Sequence, residues 1–193
     1  MPRALILVAD GFPTRDVQDV AKRLHDQGFE TRYCGAERGA TYKAEDGTHV
    51  VADLGYLNVD LSRYALVVVP GGAAGDALAA HKSMYNIVYS LLHKGRTAAV
   101  VGTGLNVLLA AAANKTSPNP VATGTHILEG EIARDRRVTG PEALREAAEK
   151  AGAVWTEEPV VQDGPVISAV ELQGENLRLF IEALLPSAQR IPV

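Results

Sequence analysis

The sequence has a single cysteine among its 193 residues, and its apolar runs are short. Cys34 cannot form an internal disulfide, so thiol chemistry is limited to one position, and a buried small hydrophobe is its simplest interpretation. No apolar run approaches the roughly 18–20 residues that span a bilayer. The run at residues 4–9 is also too short for the hydrophobic region of a signal peptide. These absences predict a soluble, cytoplasmic protein without a membrane partner.

Positive charge is also scarce. Nineteen Lys and Arg residues stand against 23 Asp and Glu residues, which gives a net charge of −4. The longest basic cluster, residues 134–137, is interrupted by Asp135. Nucleic-acid-binding domains concentrate Lys and Arg on one face, so this composition predicts no nucleic-acid partner.

Length and composition describe one globular domain over residues 1–193. Apolar residues make up 47% of the chain and charged residues 22%, close to globular averages, which excludes a disordered or coiled-coil chain. Apolar runs alternate with stretches of helical periodicity, such as Val17, Val20, Ala21 and Leu24. The run at residues 65–69 has no polar alternation, as in a parallel strand covered on both faces. The pattern predicts a doubly wound α/β sandwich with a mostly parallel sheet.

Active sites of doubly wound folds form where strands end, and three predicted strand ends carry informative residues. The most distinctive is Gly102-Thr103-Gly104, where an apolar strand breaks and a helix begins at once. This is typical of a nucleophile elbow, whose small residues bring backbone N–H groups to a bound oxyanion. An ordinary tight strand–helix turn is an alternative. A dinucleotide fingerprint fits poorly, because Val107 stands at its third glycine position.

The other two strand ends offer backbone donors and an acid. The glycine-rich stretch at residues 70–75 supplies unhindered N–H groups for a carbonyl or oxyanion, or is simply a flexible turn. Asp16 follows the first strand and is a candidate general acid or base, although acidic residues also favour helix N-termini. We expect Asp16 to be partly buried with a raised pKa. His126 ends a loop of glycine and threonine, and is a candidate proton carrier or a structural histidine.

Taken together, these motifs resemble the ThiJ/PfpI superfamily, which is class I glutamine amidotransferase-like and has a flavodoxin-type fold. The resemblance rests on the phrase from Tyr64 to Gly72, the elbow followed by Leu108-Leu109-Ala110, and residues 136–139 and 160–168. It implies a flavodoxin-like, three-layer α/β/α sandwich and a homodimer. The elbow is most similar to the Cys-Thr-Gly motif of isonitrile-hydratase-like members, and Asp16 falls at the position of the family's acidic partner.

The chain departs from that family at two places. Gly102 stands where the family has its cysteine nucleophile, and an alternative register, with Val101 at that position, supplies no nucleophile either. Residues 114–135 are longer than the usual link, and His126 lies within them. They are expected to cover the cleft or to form a dimer arm. Residues 186–193 are predicted to be a C-terminal tail.

Three functional hypotheses follow. The first is a small-molecule enzyme that needs no cofactor, metal or cysteine, with lyase, hydratase, isomerase or cyclase chemistry. Its catalytic residues would be Asp16, Thr103 and His126, and its substrate-binding residues would be Gly71, Gly72, Gly102 and Gly104. The second is a binding or partner protein that has lost the reaction. The third is an engineered form of an isonitrile-hydratase-like enzyme, with glycine in place of cysteine to trap a ligand.

Overall fold

A computed structural model describes residues 1–113 and 132–190. Its centre is a seven-stranded sheet in the order β10-β11-β7-β6-β1-β2-β5, and every neighbouring pair is parallel except β10 and β11. The strands of this sheet are β1 (Arg3–Leu7), β2 (Glu30–Gly35), β5 (Leu54–Gly55), β6 (Leu66–Val69), β7 (Thr97–Val101), β10 (Val160–Asp163) and β11 (Val166–Ala169). The predicted, mostly parallel α/β fold is confirmed.

Two small sheets and six α-helices complete the described fold. A hairpin pairs β3 (Thr41–Lys43) with β4 (His49–Val51), and β8 (Arg137–Val138) runs parallel to β9 (Val154–Trp155). The helices are α1 (Val20–Asp26), α2 (Gly72–Ala79), α3 (Lys82–His93), α4 (Leu105–Ala113), α5 (Arg145–Lys150) and α6 (Glu175–Leu184). No helix within the described ranges has the length and apolarity needed to cross a membrane.

The sheet is buried on both faces, and its strands divide their side chains between two cores. Leu5 and Leu7 of β1 belong to one apolar cluster and Ile6 belongs to the other, because successive side chains of a strand point to opposite faces. The first cluster includes apolar residues of α3 and α4, and the second includes those of α1 and α6. The result is the three-layer α/β/α sandwich that the family resemblance implied.

The strand order locates the crevice of the fold. From β1 the chain first adds β2 on one side and later adds β6 on the other, so the winding direction reverses at β1. In open α/β sheets, ligands bind outside the carboxyl ends of the strands at such a reversal. The loops after β1 and β6 therefore face a common crevice.

Several local structures differ from the sequence-based expectations. Residues 15–27 do not form one regular helix: a π-helical turn, Arg15–Asp19, precedes α1. Helix α2 was not predicted, since glycines at its first and fourth positions disfavour a helix. Gly75 is required there by close packing, because a Cβ atom at this residue would lie 2.5 Å from Thr103 Oγ1.

Two segments singled out by the sequence lie at the limits of the described chain. Of the insertion at residues 114–135, only residues 132–135 are described, and Ile132 and Ala133 are buried in the core. At the C-terminus, Leu185–Arg190 forms a 3-10 helix. Ser187 is 3% exposed, and its hydroxyl donates to Thr97 Oγ1 over 2.8 Å. This part of the expected tail is therefore anchored to the start of β7.

Candidate active site

A cavity of about 320 Å³ opens at the carboxyl ends of β1, β6, β7 and β11. Its volume falls at the lower end of the roughly 300–1,000 Å³ typical of small-molecule sites. We refer to it as the elbow cavity. It is lined by Pro13, Arg15, Asp16, Glu45, Gly71, Gly72, Val101, Gly102, Thr103, Pro141, Val170, Glu171, Leu172 and Gln173.

The chain turns sharply at Gly102. Val101 has extended backbone angles, Gly102 has φ of +53°, and the helical conformation begins within the next residues. This left-handed conformation is strained for residues with a side chain and free for glycine. A Cβ atom on Gly102 would lie 3.4 Å from the carbonyl oxygen of Val170 and 3.6 Å from Gly71 Cα, which are ordinary contacts. The turn therefore has the shape of an elbow, with space for a side chain at its apex.

Asp16 is buried beside this turn. It is 4% exposed, and its Oδ2 accepts a 2.9 Å hydrogen bond from the backbone N–H of Gly71. Desolvation raises the pKa of Asp16 from 3.8 to about 6, with a further upward contribution from Glu45 and a downward one from the Gly71 hydrogen bond. The expected burial and raised pKa are confirmed. The π-helical turn positions the carboxyl, because Asp16 N donates to Pro13 O over 3.0 Å.

Thr103 links the elbow to the first turn of α2. Its hydroxyl donates to the carbonyl oxygen of Gly72 over 2.6 Å, so the hydroxyl proton is already engaged. The backbone of Thr103 remains at the cavity wall, at the start of the helical segment that continues into α4. Thr103 thus holds two helix N-termini together, and this bond gives its side chain a positioning role.

The three remaining glycines of the predicted site differ in what they can offer a ligand. Gly71 lines the cavity, but its N–H group is used by Asp16. Gly72 has φ of +64° and lines the cavity where α2 begins. Gly104 is buried behind the wall, and a Cβ atom there would lie 2.7 Å from the carbonyl oxygens of Val69 and Pro70. Close packing explains Gly104, which is not among the residues that line the cavity.

Three charged residues of the cavity escaped the sequence analysis: Arg15, Glu45 and Glu171. Glu45 arrives through the β3–β4 hairpin, which docks on the loop after β1. Lys43 N donates to Asp10 Oδ1 over 2.8 Å, and Glu45 N donates to Phe12 O over 3.0 Å. An Asp-Gly pair such as Asp46-Gly47 is typical of a hairpin turn, but nothing in the sequence indicates where this hairpin docks.

Other candidate groups do not join this site in the described chain. His126 lies outside the described residues. Cys34 is fully buried in β2, and desolvation raises the pKa of its thiol to about 12, so the nucleophilic thiolate is strongly disfavoured. Residues 1–113 and 132–190 contain no group of three or more His, Cys, Asp or Glu side chains arranged to hold a metal ion.

Comparison with known proteins gives the same fold and one family. Over 167 residues, covering 86% of this chain and 89% of the relative, the chain is 26% identical to a protein of Thermococcus kodakarensis named as a deglycase. A Pyrococcus horikoshii protein with the same designation is 23% identical over an equal span.

Solved structures agree in fold. A ThiJ/PfpI domain protein of Brachyspira murdochii superimposes with a TM-score of 0.80 at 17% identity, covering 99% of this chain and 98% of that one. A two-domain protein of Anabaena variabilis, with a DJ-1/ThiJ/PfpI-like and a ferritin-like domain, gives a TM-score of 0.83 at 23% identity. This match covers 99% of our chain but 49% of that protein. The DJ-1/PfpI family model matches residues 2–118, and the chain belongs to the DJ-1/PfpI family.

Proposed function

We propose that this protein is a small-molecule enzyme that moves a proton with Asp16 and forms no covalent bond to a cysteine. The observation that carries the proposal is the buried Asp16 carboxyl, whose pKa is about 6, in a cavity beside the elbow. A general acid or base works best when its pKa lies near the operating pH. Among lyase, hydratase, isomerase and cyclase reactions are ones that a positioned acid–base group catalyses without a cofactor.

Asp16 is suited to both directions of proton transfer. With a pKa of about 6, about one molecule in ten carries the proton at pH 7, and the rest hold a carboxylate ready to accept one. The hydrogen bond from Gly71 N–H fixes Oδ2 in place. Within the described part of the chain, it is the one hydrogen bond that this carboxyl accepts.

Backbone groups would stabilise the charge that develops on the substrate. The N–H groups of Gly72 and Thr103 belong to the first turns of two helical segments, where N–H groups are left over from helix bonding and the helix dipole is positive. Donors of this kind polarise a carbonyl or similar group. Asp16 and these donors together supply a proton carrier and an electrophilic pole within one cavity.

Cysteine chemistry is not available to this chain. Gly102 is at the elbow, and the single thiol of the sequence, Cys34, is buried in β2. Loss of a covalent nucleophile lowers turnover on the order of a millionfold. Substrate binding and oxyanion donors alone leave a rate roughly 10³-fold above that of the uncatalysed reaction in water. We therefore do not extend to this protein any thiol-dependent form of the deglycase activity for which its relatives are named.

The alternatives make different demands on the cavity. If the protein were a non-catalytic partner protein, a desolvated carboxyl in an open cavity would have no function. Apolar side chains that fill the cavity would fit that hypothesis better. The left-handed φ of +53° at Gly102 suits a natural glycine as well as an engineered one. A homodimer and a cytoplasmic location remain predictions, as does a catalytic part for His126.

The proposal is tested by screening a metabolite and natural-product library for ligands and turnover, and then comparing the Asp16→Asn variant. We expect Asp16→Asn to retain ligand binding while its turnover falls by about 10²-fold or more. The Glu37→Gln variant is the matched control, because Glu37 is exposed and lies outside the elbow cavity. A ligand that binds the cavity but is turned over equally by Asp16→Asn contradicts the acid–base role.

A further inference from the structure

A second and larger cavity, of about 450 Å³, lies on another part of the molecule, beside β2. None of its residues belongs to the elbow cavity. It contains four arginines among ten lining residues, and we refer to it as the arginine cavity. The lining residues are Arg3, Glu30, Arg32, Arg38, Gly39, Ala52, Asp53, Leu54, Arg63 and Tyr64.

Two of the four arginines are neutralised by carboxylates of the same cavity. Glu30 accepts from Arg3 Nε over 2.7 Å and from Arg32 Nη2 over 2.7 Å. These two arginines hold the pKa of Glu30 below its usual range, Arg32 contributing most. Arg32 Nη1 also lies 3.7 Å from Asp53 Oδ1. Arg3, Arg32, Glu30 and Asp53 therefore form one charge-balanced network.

Arg38 and Arg63 form no ion pair in the described ranges, although Asp60 attracts Arg63 over a longer distance. Asp60, close to Arg63 in sequence, directs its Oδ1 to the backbone N and hydroxyl of Ser62 at 3.1 and 2.6 Å. The cavity thus carries a net charge of about +2 in a protein whose net charge is −4. A local excess of positive charge attracts small anions to the cavity.

We propose that the arginine cavity binds a small molecule that carries a doubly charged anionic group, either a phosphate or paired carboxylates. The guanidinium fork presents its donors in the geometry that matches carboxylate and phosphate oxygens. The balanced network positions Arg3 and Arg32, and Arg38 and Arg63 supply the charge that the ligand neutralises. Leu54, which is half-buried, offers apolar surface for the rest of the molecule.

The site is distinct in chemistry from the elbow cavity. The elbow cavity is lined by one arginine, Arg15, and by three acidic residues, so acidic groups outnumber basic ones there. The acidic residues are Asp16, Glu45 and Glu171. A dianion attracted to the arginine cavity is therefore disfavoured in the elbow cavity. The inference stands independently of the proposed function, since it uses none of the elbow residues.

The test is a titration of the full-length protein with inorganic phosphate, pyrophosphate and succinate, followed by calorimetry and thermal shift at constant ionic strength. We expect saturable binding of at least one of these probes, and the ranking of phosphate compounds against succinate identifies the anion type. Arg38→Ala and Arg63→Ala should each weaken binding by at least about tenfold, as expected for loss of a charged hydrogen bond. Both side chains are exposed, so the variants should fold normally.

The Arg23→Ala variant is the matched control, because Arg23 is exposed and lines a different groove. Equal binding by all four proteins, or no saturable binding of any probe by the wild type, overturns the proposal. Sedimentation of the same variants tests whether a second copy of the chain, rather than a small anion, occupies the arginine cavity. If Arg38→Ala or Arg63→Ala changes the oligomeric mass, acidic side chains of a second copy occupy the cavity, and the proposal is also overturned.

Discussion

Replacement of Asp16 by asparagine should make the folded protein more stable at neutral and alkaline pH. Burial raises the pKa of Asp16 from 3.8 to about 6, so the folded state holds the charged form at a penalty. A shift of this size, at about 1.36 kcal/mol per pH unit, corresponds to about 3 kcal/mol. Asparagine has nearly the same shape, carries no charge and can still accept the hydrogen bond from Gly71 N–H.

The sign of the pH dependence follows from the direction of the shift. Between pH 3.8 and about 6 the folded protein retains a proton that the unfolded chain has released, so the Asp16 contribution to stability falls as the pH rises. Above pH 6 the penalty is complete and constant. The gain from Asp16→Asn should therefore be near zero at pH 4 and reach about 1 to 3 kcal/mol at pH 8, once the cost of burying the NH2 group of asparagine is subtracted.

Urea denaturation of the wild type and Asp16→Asn at pH 4, 6 and 8 measures this difference directly. For a domain of this size, each kcal/mol corresponds to a rise of about 2–4 °C in Tm. Glu37→Gln, which removes an exposed acid, should show no comparable pH-dependent gain. A destabilised Asp16→Asn at pH 8, or an effect equal at all three pH values, would refute the assignment of the raised pKa to burial.

Three further predictions concern the elbow. The thiol of Gly102→Cys should react with thiol reagents faster than Cys34, because it lies at a helix N-terminus whereas Cys34 is buried. Equal or slower labelling would show that residue 102 is not the apex of the elbow. Thr103→Val should lower the free energy of unfolding by about 1–2 kcal/mol, as Gly72 O loses its donor, and Thr103→Ser should recover most of it in the same denaturation assay. Gly104→Ala should lower the free energy of unfolding by about 1–3 kcal/mol, because its methyl group would press against the carbonyls of Val69 and Pro70. An unchanged free energy of unfolding would show that α4 shifts to make room.

The sequence predicted the central strands of the sheet well because they are buried along their whole length. An unbroken apolar run such as residues 97–101 has few alternatives to a covered parallel strand, and the structure has a strand at Thr97–Val101. Helix α2 could not be predicted, because its two glycines oppose helix formation locally and are explained only by distant contacts, with Gly11 O for Gly72 and with Thr103 for Gly75. Tertiary packing outweighs local propensity in that segment.

The residues of the candidate site also differ in how far the sequence could predict them. Asp16 and Gly102 follow directly from strand ends, so their positions at the cavity were foreseeable. Glu45 depends on a hairpin whose backbone N–H groups donate to the Asp10 carboxylate and to Phe12 O, and such donors are the same for every residue type except proline. The bond from the Thr103 hydroxyl to Gly72 O likewise could not be predicted from the sequence, which indicated Thr103 only as a catalytic candidate at the elbow.

The glycine at the elbow apex has a consequence for what the cavity can accept. A residue with a side chain at φ of +53° stores backbone strain of about 1–3 kcal/mol, and glycine releases it. The same exchange removes the atoms that would stand against Val170 O and Gly71 Cα. The elbow cavity is therefore open down to the end of β7, at the apex of the turn. A ligand of this cavity would meet backbone rather than a side chain there, on a main chain that is free of strain.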